Sequence, residues 1–249
     1  MIGQENLLKQ VKELIDANKF PHFAIITGEK GSGKKLFASK IVDYMNIVGD
    51  MTKVVIEDVK MDSIRNMITL SHKLRTPTAF IIPDADEMSG QAKNALLKVT
   101  EEPPNDAYFV MTLDDMSNTL DTIKSRGTEF KMDNYTPDEI FEFALETRAD
   151  KGIDNQEGDI VRDICNTPGE FLLLESMKIV PFYEYVEKVV DNIAVVSGAN
   201  AFKIADKIAL KDDEGYDLKL FWKAFICICM NKVESDSDYA TQYLEAVRT

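Results

Sequence analysis

The spacing of apolar residues changes several times along the chain, and the changes mark out short elements. Leu7, Leu8, Val11, Leu14 and Ile15 recur at helical spacing over residues 6–17. Phe20-Pro21-His22 breaks that pattern, and the apolar run from Phe23 to Thr27 predicts a short buried strand. A glycine-rich turn, 28–34, separates it from a helical pattern over 36–48 carried by Phe37, Ile41, Tyr44 and Met45. Further strands are expected at 53–58, 79–82, 108–112 and 128–132. Between them lie helical patterns at 61–74 and 88–100 and a short helix ending near Ser125-Arg126. Strands alternating with helices predict a parallel α/β sheet whose ligands sit at the C-terminal ends of the strands.

The texture changes at Asn134. Thr136-Pro137-Asp138-Glu139 carries a capping box with proline in the first turn, and Thr167-Pro168-Gly169-Glu170 repeats the device. A helical stretch lies around 160–164. After Pro181, helical patterns are expected near 182–196, 200–210, 216–233 and 238–247. They are broken at Ser197-Gly198, at 212–215 and at 235–237. The expected fold class is therefore α/β followed by all-α. It divides into an α/β domain over 1–133, a small helical domain over 134–178 and a C-terminal helical domain over 179–249.

Composition narrows the function classes. At 249 residues the chain is long enough for more than one domain, and 45% hydrophobic with 29% charged residues is an ordinary globular balance. No apolar run approaches the ~20 residues of a membrane helix, and the N-terminus lacks the basic-then-apolar order of a signal peptide, so the cytoplasm is the expected compartment. Net charge is −14. Residues 1–133 carry 17 basic against 20 acidic side chains, and 134–249 carry 12 against 23. Such a chain has no long-range attraction for nucleic acid, so contact with DNA would be local or made by partner subunits. Cys165, Cys227 and Cys229, with His22 and His72, do not make a zinc set, and the cysteines read as small buried hydrophobes.

The candidate chemistry begins at Gly28-Glu29-Lys30-Gly31-Ser32-Gly33-Lys34-Lys35, which fits G-x-x-x-x-G-K-[ST] up to its last position. Gly28, Gly31, Ser32 and Gly33 would let backbone N–H groups wrap a phosphate chain, and the helix opening near Lys34 would point its positive end at it. Lys34 would reach the terminal phosphates. Lys35 stands where a hydroxyl should hold Mg²⁺, and an ammonium, having donors only, cannot ligate a cation. Lys35 would instead offset phosphate charge that Mg²⁺ ordinarily offsets. The acidic corner that completes such a metal site falls after the strand 79–82, where Asp84, Asp86 and Glu87 are the candidates.

Asn94-Ala95-Leu96-Leu97-Lys98 followed by Glu101-Glu102-Pro103-Pro104 resembles the NALLKxLEEPP signature of clamp-loader ATPase subunits, the AAA+ family of bacterial DNA polymerase III. The family's D-E-A-D spacing, counted back from there, puts its metal-holding Asp on Pro83 and its catalytic Glu on Asp84. In the other register Asp84 is the metal ligand and Ala85 the glutamate position. Ile2-Gly3-Gln4 resembles the family's segment beside the adenine, and Phe20-Pro21-His22 the lead into its first strand. Ser125-Arg126-Gly127 resembles its Ser-Arg-Cys motif, with Gly127 for Cys. Gly169-Glu170-Phe171-Leu172 stands at its Gly-Asp-x-Arg sensor, with Leu172 for Arg. The stretch from Val48 to Lys53 is too short for the family's zinc cysteines.

The resemblance implies an AAA+ α/β domain, a helical lid and a C-terminal collar. The losses at Lys35, Pro83, Asp84 and Leu172 imply ATP or ADP bound weakly or not at all, Mg²⁺ poorly held and no zinc. Arg126 would reach the ATP of a neighbouring subunit as an arginine finger. The pattern is that of a delta-prime-like subunit, in a compact or phage-encoded version. Its partners would be the ATPase motor and delta-like subunits of a pentamer and a sliding clamp, with primer-template DNA met mainly through the assembly. An active motor subunit and an adaptor outside replication are the competing readings.

Overall fold

The computed structural model describes residues 2–104, 106–192 and 217–235. They fall into two compact units, one up to Asn134 and one from Tyr135 on.

The first unit is built on a five-stranded sheet in the order β2-β3-β4-β1-β5. Its strands are β1 (Phe23–Thr27), β2 (Thr52–Val55), β3 (Thr78–Ile82), β4 (Ala107–Leu113) and β5 (Thr128–Lys131), all parallel. Every residue of β1 and β3 is buried, which is why these strands read as unbroken apolar runs rather than as alternation. The period of two instead sorts their side chains between two cores. Phe23, Ile25, Phe80, Ile82, Phe109 and Met111 face α3 (Met61–Ser71) and α4 (Gly90–Glu101). Ala24, Ile26, Ala79, Ile81 and Val110 face α1 (Glu5–Asp16) and α2 (Lys34–Gly49). Helices thus cover both faces, and the strand order sets β4 between β3 and β1. The loops that leave the C-terminal ends of these three strands are therefore neighbours, although they lie far apart in sequence.

Boundaries moved where local chemistry decides them. The second strand stops at Val55 rather than 58: Asp58 turns back to accept from the Lys60 N–H and the Ser63 hydroxyl, starting α3 instead of prolonging the strand. The fourth helix starts at Gly90 rather than 88, because the Ser89 hydroxyl caps it by accepting from the Ala92 N–H at 3.2 Å. A short helix α5 (Asp121–Lys124) precedes β5.

The second unit contains α6 (Pro137–Thr147), α7 (Asn155–Ile164), α8 (Pro168–Ser176), α9 (Ile179–Asn192) and α10 (Leu218–Ser235). The capping box at Thr136 has both halves, Thr136 N–H to Glu139 at 2.7 Å and Glu139 N–H to the Thr136 hydroxyl at 3.2 Å. At Thr167 only one half forms. Its hydroxyl accepts from the Glu170 N–H, but the Glu170 carboxylate accepts from Asn166 N–H and pairs with Lys219 and Lys223 of α10. Pro181 lies inside the first turn of α9, not before it, where the N–H it lacks would have had no helical partner. The expected boundary at 178/179 falls at Lys178, whose φ of 65° ends α8, yet Phe171 and Leu174 share one core with Phe182, Val186, Phe221 and Phe225. The helices expected at 200–210 and 238–247 and the breaks at 197–198, 212–215 and 236–237 lie outside the described residues. Cys165 is buried as expected. Cys227 and Cys229 are only half-buried, since they flank the stripe of α10 that buries Ile228.

Candidate functional site

The glycine-rich turn leaves the end of β1 and runs directly into α2. Two of its glycines are required by the backbone: Gly31 and Gly33 have φ of 87° and 89°, a region that other residues avoid. Gly28 is closely packed: a Cβ there would lie 3.1 Å from both Met132 Cβ and Ser32 Oγ, so these neighbours would have to give by a few tenths of an ångström. Ser32 is buried within the turn, and its N–H closes it on the Glu29 carbonyl at 3.1 Å. Gly33 is the N-cap of α2, which makes Lys34 its first residue.

Lys34 is 6% exposed, an unusual state for an ammonium. Its Nζ donates to the Gly28 carbonyl at 2.8 Å, to the Glu29 carbonyl at 3.0 Å and to Asp114 Oδ1 at 2.6 Å. Asp114 is the residue after β4, the strand beside β1. Sequence reasoning missed it. It lies 80 positions from Lys34, and only the strand order brings the two together; the visible signal was an aspartate directly after an apolar strand. Asp114 is itself anchored, its N–H donating to Asp86 Oδ2 at 2.7 Å.

The acidic corner is laced to the same place. Asp84, at the end of β3, donates its N–H to the Thr112 hydroxyl of β4 at 3.0 Å and has φ of 48°, a left-handed conformation that aspartate tolerates better than most residues. Pro83 is buried and Asp84 exposed. With Glu57, Asp58, Glu87 and Ser89, Asp84 lines an open cleft of about 500 Å³. Lys35 is exposed in the first turn of α2. Among the described residues, no group of three or more His, Cys, Asp or Glu side chains is placed to hold a metal ion. The hydroxyl position of the loop carries the Lys35 ammonium, which has donors only, and Asp86 Oδ2 accepts from the backbone N–H of Asp114, just after β4.

Arg126 sits in the turn between α5 and β5. Its guanidinium pairs with Glu101, the last residue of α4, and donates to the Thr122 carbonyl, leaving the side chain about a quarter exposed. The register of β5 fixes where this is. Thr128 pairs with Ala24 and Lys131 with Thr27. Arg126 therefore precedes the start of β1, whereas the phosphate loop follows its end. At about 3.3 Å per residue, the two are separated by roughly 13 Å or more along the strands. Gly127, beside it, packs under Ile25 and Phe23 of β1.

The remaining expected site residues are elsewhere. Gln4 is fully buried, and its amide exchanges hydrogen bonds with the backbone of Asp133, 2.8 Å to the carbonyl and 3.0 Å from the N–H. His22 bonds the Ala107 carbonyl through Nδ1 at 2.8 Å and stacks on Tyr108. In the second unit Leu172 is 48% exposed on α8. Glu170, two residues before it, is buried; burial pushes its carboxyl up, but Lys219, Lys223 and the Asn166 N–H outweigh that and hold it below the usual carboxylate range.

Residues 43–136 match the family model described as "DNA polymerase III, delta subunit". The chain is 20% identical over 245 residues to the DNA polymerase III subunit gamma of Buchnera aphidicola subsp. Acyrthosiphon pisum, covering 86% of this chain and 68% of that protein. It is 27% identical over 167 residues to the Bacillus subtilis subunit tau, covering 56% and 30%, and 24% identical over 166 residues to the replication factor C small subunit of Haloarcula marismortui, covering 63% and 50%. It thus spans two thirds of the first of these relatives and half or less of the others. Among solved structures it is similar in fold to the Thermotoga maritima RuvB Holliday junction branch migration motor, with a TM-score of 0.56 at 17% identity over 93% of this chain and 76% of that one.

Proposed function

We propose that the chain is a clamp-loader subunit of the AAA+ kind, delta-prime-like, with a degenerate ATP site of its own. On this reading it is a structural member of a ring of clamp-loader subunits and supplies Arg126 to the ATP site of a neighbour. Residues from 179 on would contribute to the collar of that ring, and the sliding clamp and primer-template DNA would be met through the assembly, in the cytoplasm.

The observation that carries the reading is the placement of Arg126. It stands at the opposite end of β1 from the chain's own phosphate loop, so its charge is of no use to a phosphate held there. A guanidinium aimed at a neighbour's transferring phosphoryl group would stabilise charge that develops in the transition state. The chain's own site supports the same reading from the other side. It keeps the glycines and the lysine of a phosphate loop, but Lys35 stands where the motif places the hydroxyl that would hold the metal used in phosphoryl transfer.

ATP turnover by the purified chain, with and without an ATPase subunit of the same assembly, tests this. No turnover above background is expected from the chain alone. Turnover by the isolated chain that disappears on Lys34→Ala would contradict the reading and identify an active motor subunit. Failure to associate with any clamp-loader subunit would point to an adaptor outside replication.

A further inference from the structure

We infer that Asp114 is the determinant that keeps nucleotide out of the phosphate loop, a carboxylate supplied by the chain in the role of the anion the loop is built to hold. This rests on the reading of residues 28–34 as a phosphate loop and extends it to a residue outside that loop.

An ammonium has three donors, and Lys34 uses all three within the chain: two carbonyls of its own loop and Asp114. The partner that carries charge is the aspartate, at 2.6 Å, and Lys34 is 6% exposed, so the pair is shielded on the lysine side. Asp114 does not reach the loop by the swing of a flexible segment. It follows β4 directly, β4 is hydrogen-bonded to β1 throughout Phe23–Thr27, and the Asp114 N–H is fixed by Asp86. The carboxylate therefore stands where the sheet puts it.

Two consequences follow for a polyphosphate arriving at the loop. The charge of Lys34 is already neutralised, so the attraction left comes from Lys30 and Lys35, which are exposed, and from the N-terminus of α2. A phosphate oxygen that displaced a donor of Lys34 would also lie beside the Asp114 carboxylate, and like charges at such distances repel strongly in a partly buried site. The loss at Lys35 removes a metal ligand; Asp114 removes affinity for the phosphate itself. An asparagine at this position would keep an oxygen for Lys34 and remove the charge.

The test is a calorimetric titration of ADP and of a non-hydrolysable ATP analogue, with Mg²⁺ and with EDTA, into the wild-type chain, Asp114→Asn, and Asp114→Asn combined with Lys34→Ala. The inference predicts weak or undetectable binding by wild type, binding at least about tenfold tighter by Asp114→Asn, little dependence on Mg²⁺, and loss of the gain in the double variant. Equal affinity of wild type and Asp114→Asn, whether weak or tight, would overturn it, as would a gain that survives Lys34→Ala. Thermal melts check that each variant is folded. Should the asparagine variant not fold, Asp114→Thr, which suits the end of a strand, takes its place with the same expectations. The result is separable from the proposed function, which is read on Arg126 and a partner's turnover. An unchanged affinity in Asp114→Asn would remove this inference and leave the arginine finger standing.

Discussion

Arg126 and Glu101 form an ion pair that joins the turn before β5 to the last residue of α4. Glu101 opens the Glu-Glu-Pro-Pro run, and a proline pair cannot continue a helix, so the run both ends α4 and presents Glu101 at its tip. The segment that carries the family resemblance therefore also holds the arginine proposed to act in a neighbour's site. A half-exposed pair of this kind contributes about 0–1 kcal/mol. Glu101→Gln is accordingly expected to leave the melting temperature almost unchanged while lowering a partner's turnover by less than Arg126→Ala does. Parallel melts and turnover assays of the two variants check this.

Gly127 follows the arginine, at a position where the family resemblance expects cysteine. A Cβ there would lie 2.6 Å from Ile25 Cγ1 and 3.2 Å from Phe23 Cε1, and would run into Ile25 Cδ1 as well. Both side chains belong to β1, which is buried throughout, so the contact has little room to relax. Gly127→Cys should destabilise the first unit by about 1–3 kcal/mol, the usual range for overpacking, measured by denaturant unfolding.

The second unit carries an acid-sensitive contact at Glu170. Its carboxyl is pushed up by burial but held below the usual range by the stronger opposing effect of Lys219, Lys223 and the Asn166 N–H. A depressed carboxylate contributes stability above its unfolded-state value, and that contribution is lost as pH falls through the folded-state value. Glu170→Gln should therefore cost roughly 1–3 kcal/mol at pH 7. The difference from wild type should shrink as pH falls below about 4, the range in which an unfolded Glu titrates. Thermal unfolding of both proteins across that range measures it.

The three cysteines should separate by reactivity. Burial pushes the Cys165 thiol up to about 12, and Glu170 adds to the shift. The Cys227 thiol is also raised, by burial and then by Asp163, but its side chain is only half-buried. In the native protein at pH 8 an alkylating reagent should modify Cys227 and Cys229 slowly and leave Cys165 untouched until denaturant is added. Mass spectrometry of the modified peptides reads the order.

Much of this architecture is legible in the chain, and the exceptions have a common cause. The strands β1 and β3 announce themselves as unbroken apolar runs because helices cover both faces, and the Thr136 capping box is a contact over three residues. Local signals of that kind survive in a sequence. The pairing of Lys34 with Asp114 does not, since it depends on β4 lying next to β1. The separation of Arg126 from the phosphate loop depends equally on the register of β5. Glu170 shows the same effect within a motif. Its spacing from Thr167 looks like a capping box, but two lysines more than 45 positions away claim the carboxylate. Pro181 misled in the opposite sense, because a proline is as comfortable in the first turn of a helix as before it.

The central claim is that this chain does its chemistry through Arg126 in a neighbouring ATP site. The most direct measurement is the ATP turnover of the assembled clamp loader containing wild-type chain or Arg126→Ala, with assembly confirmed by size-exclusion chromatography. The expected result is an intact assembly whose turnover falls by a factor of about 10³ or more at the site this arginine completes. An intact assembly with unchanged turnover would contradict the account.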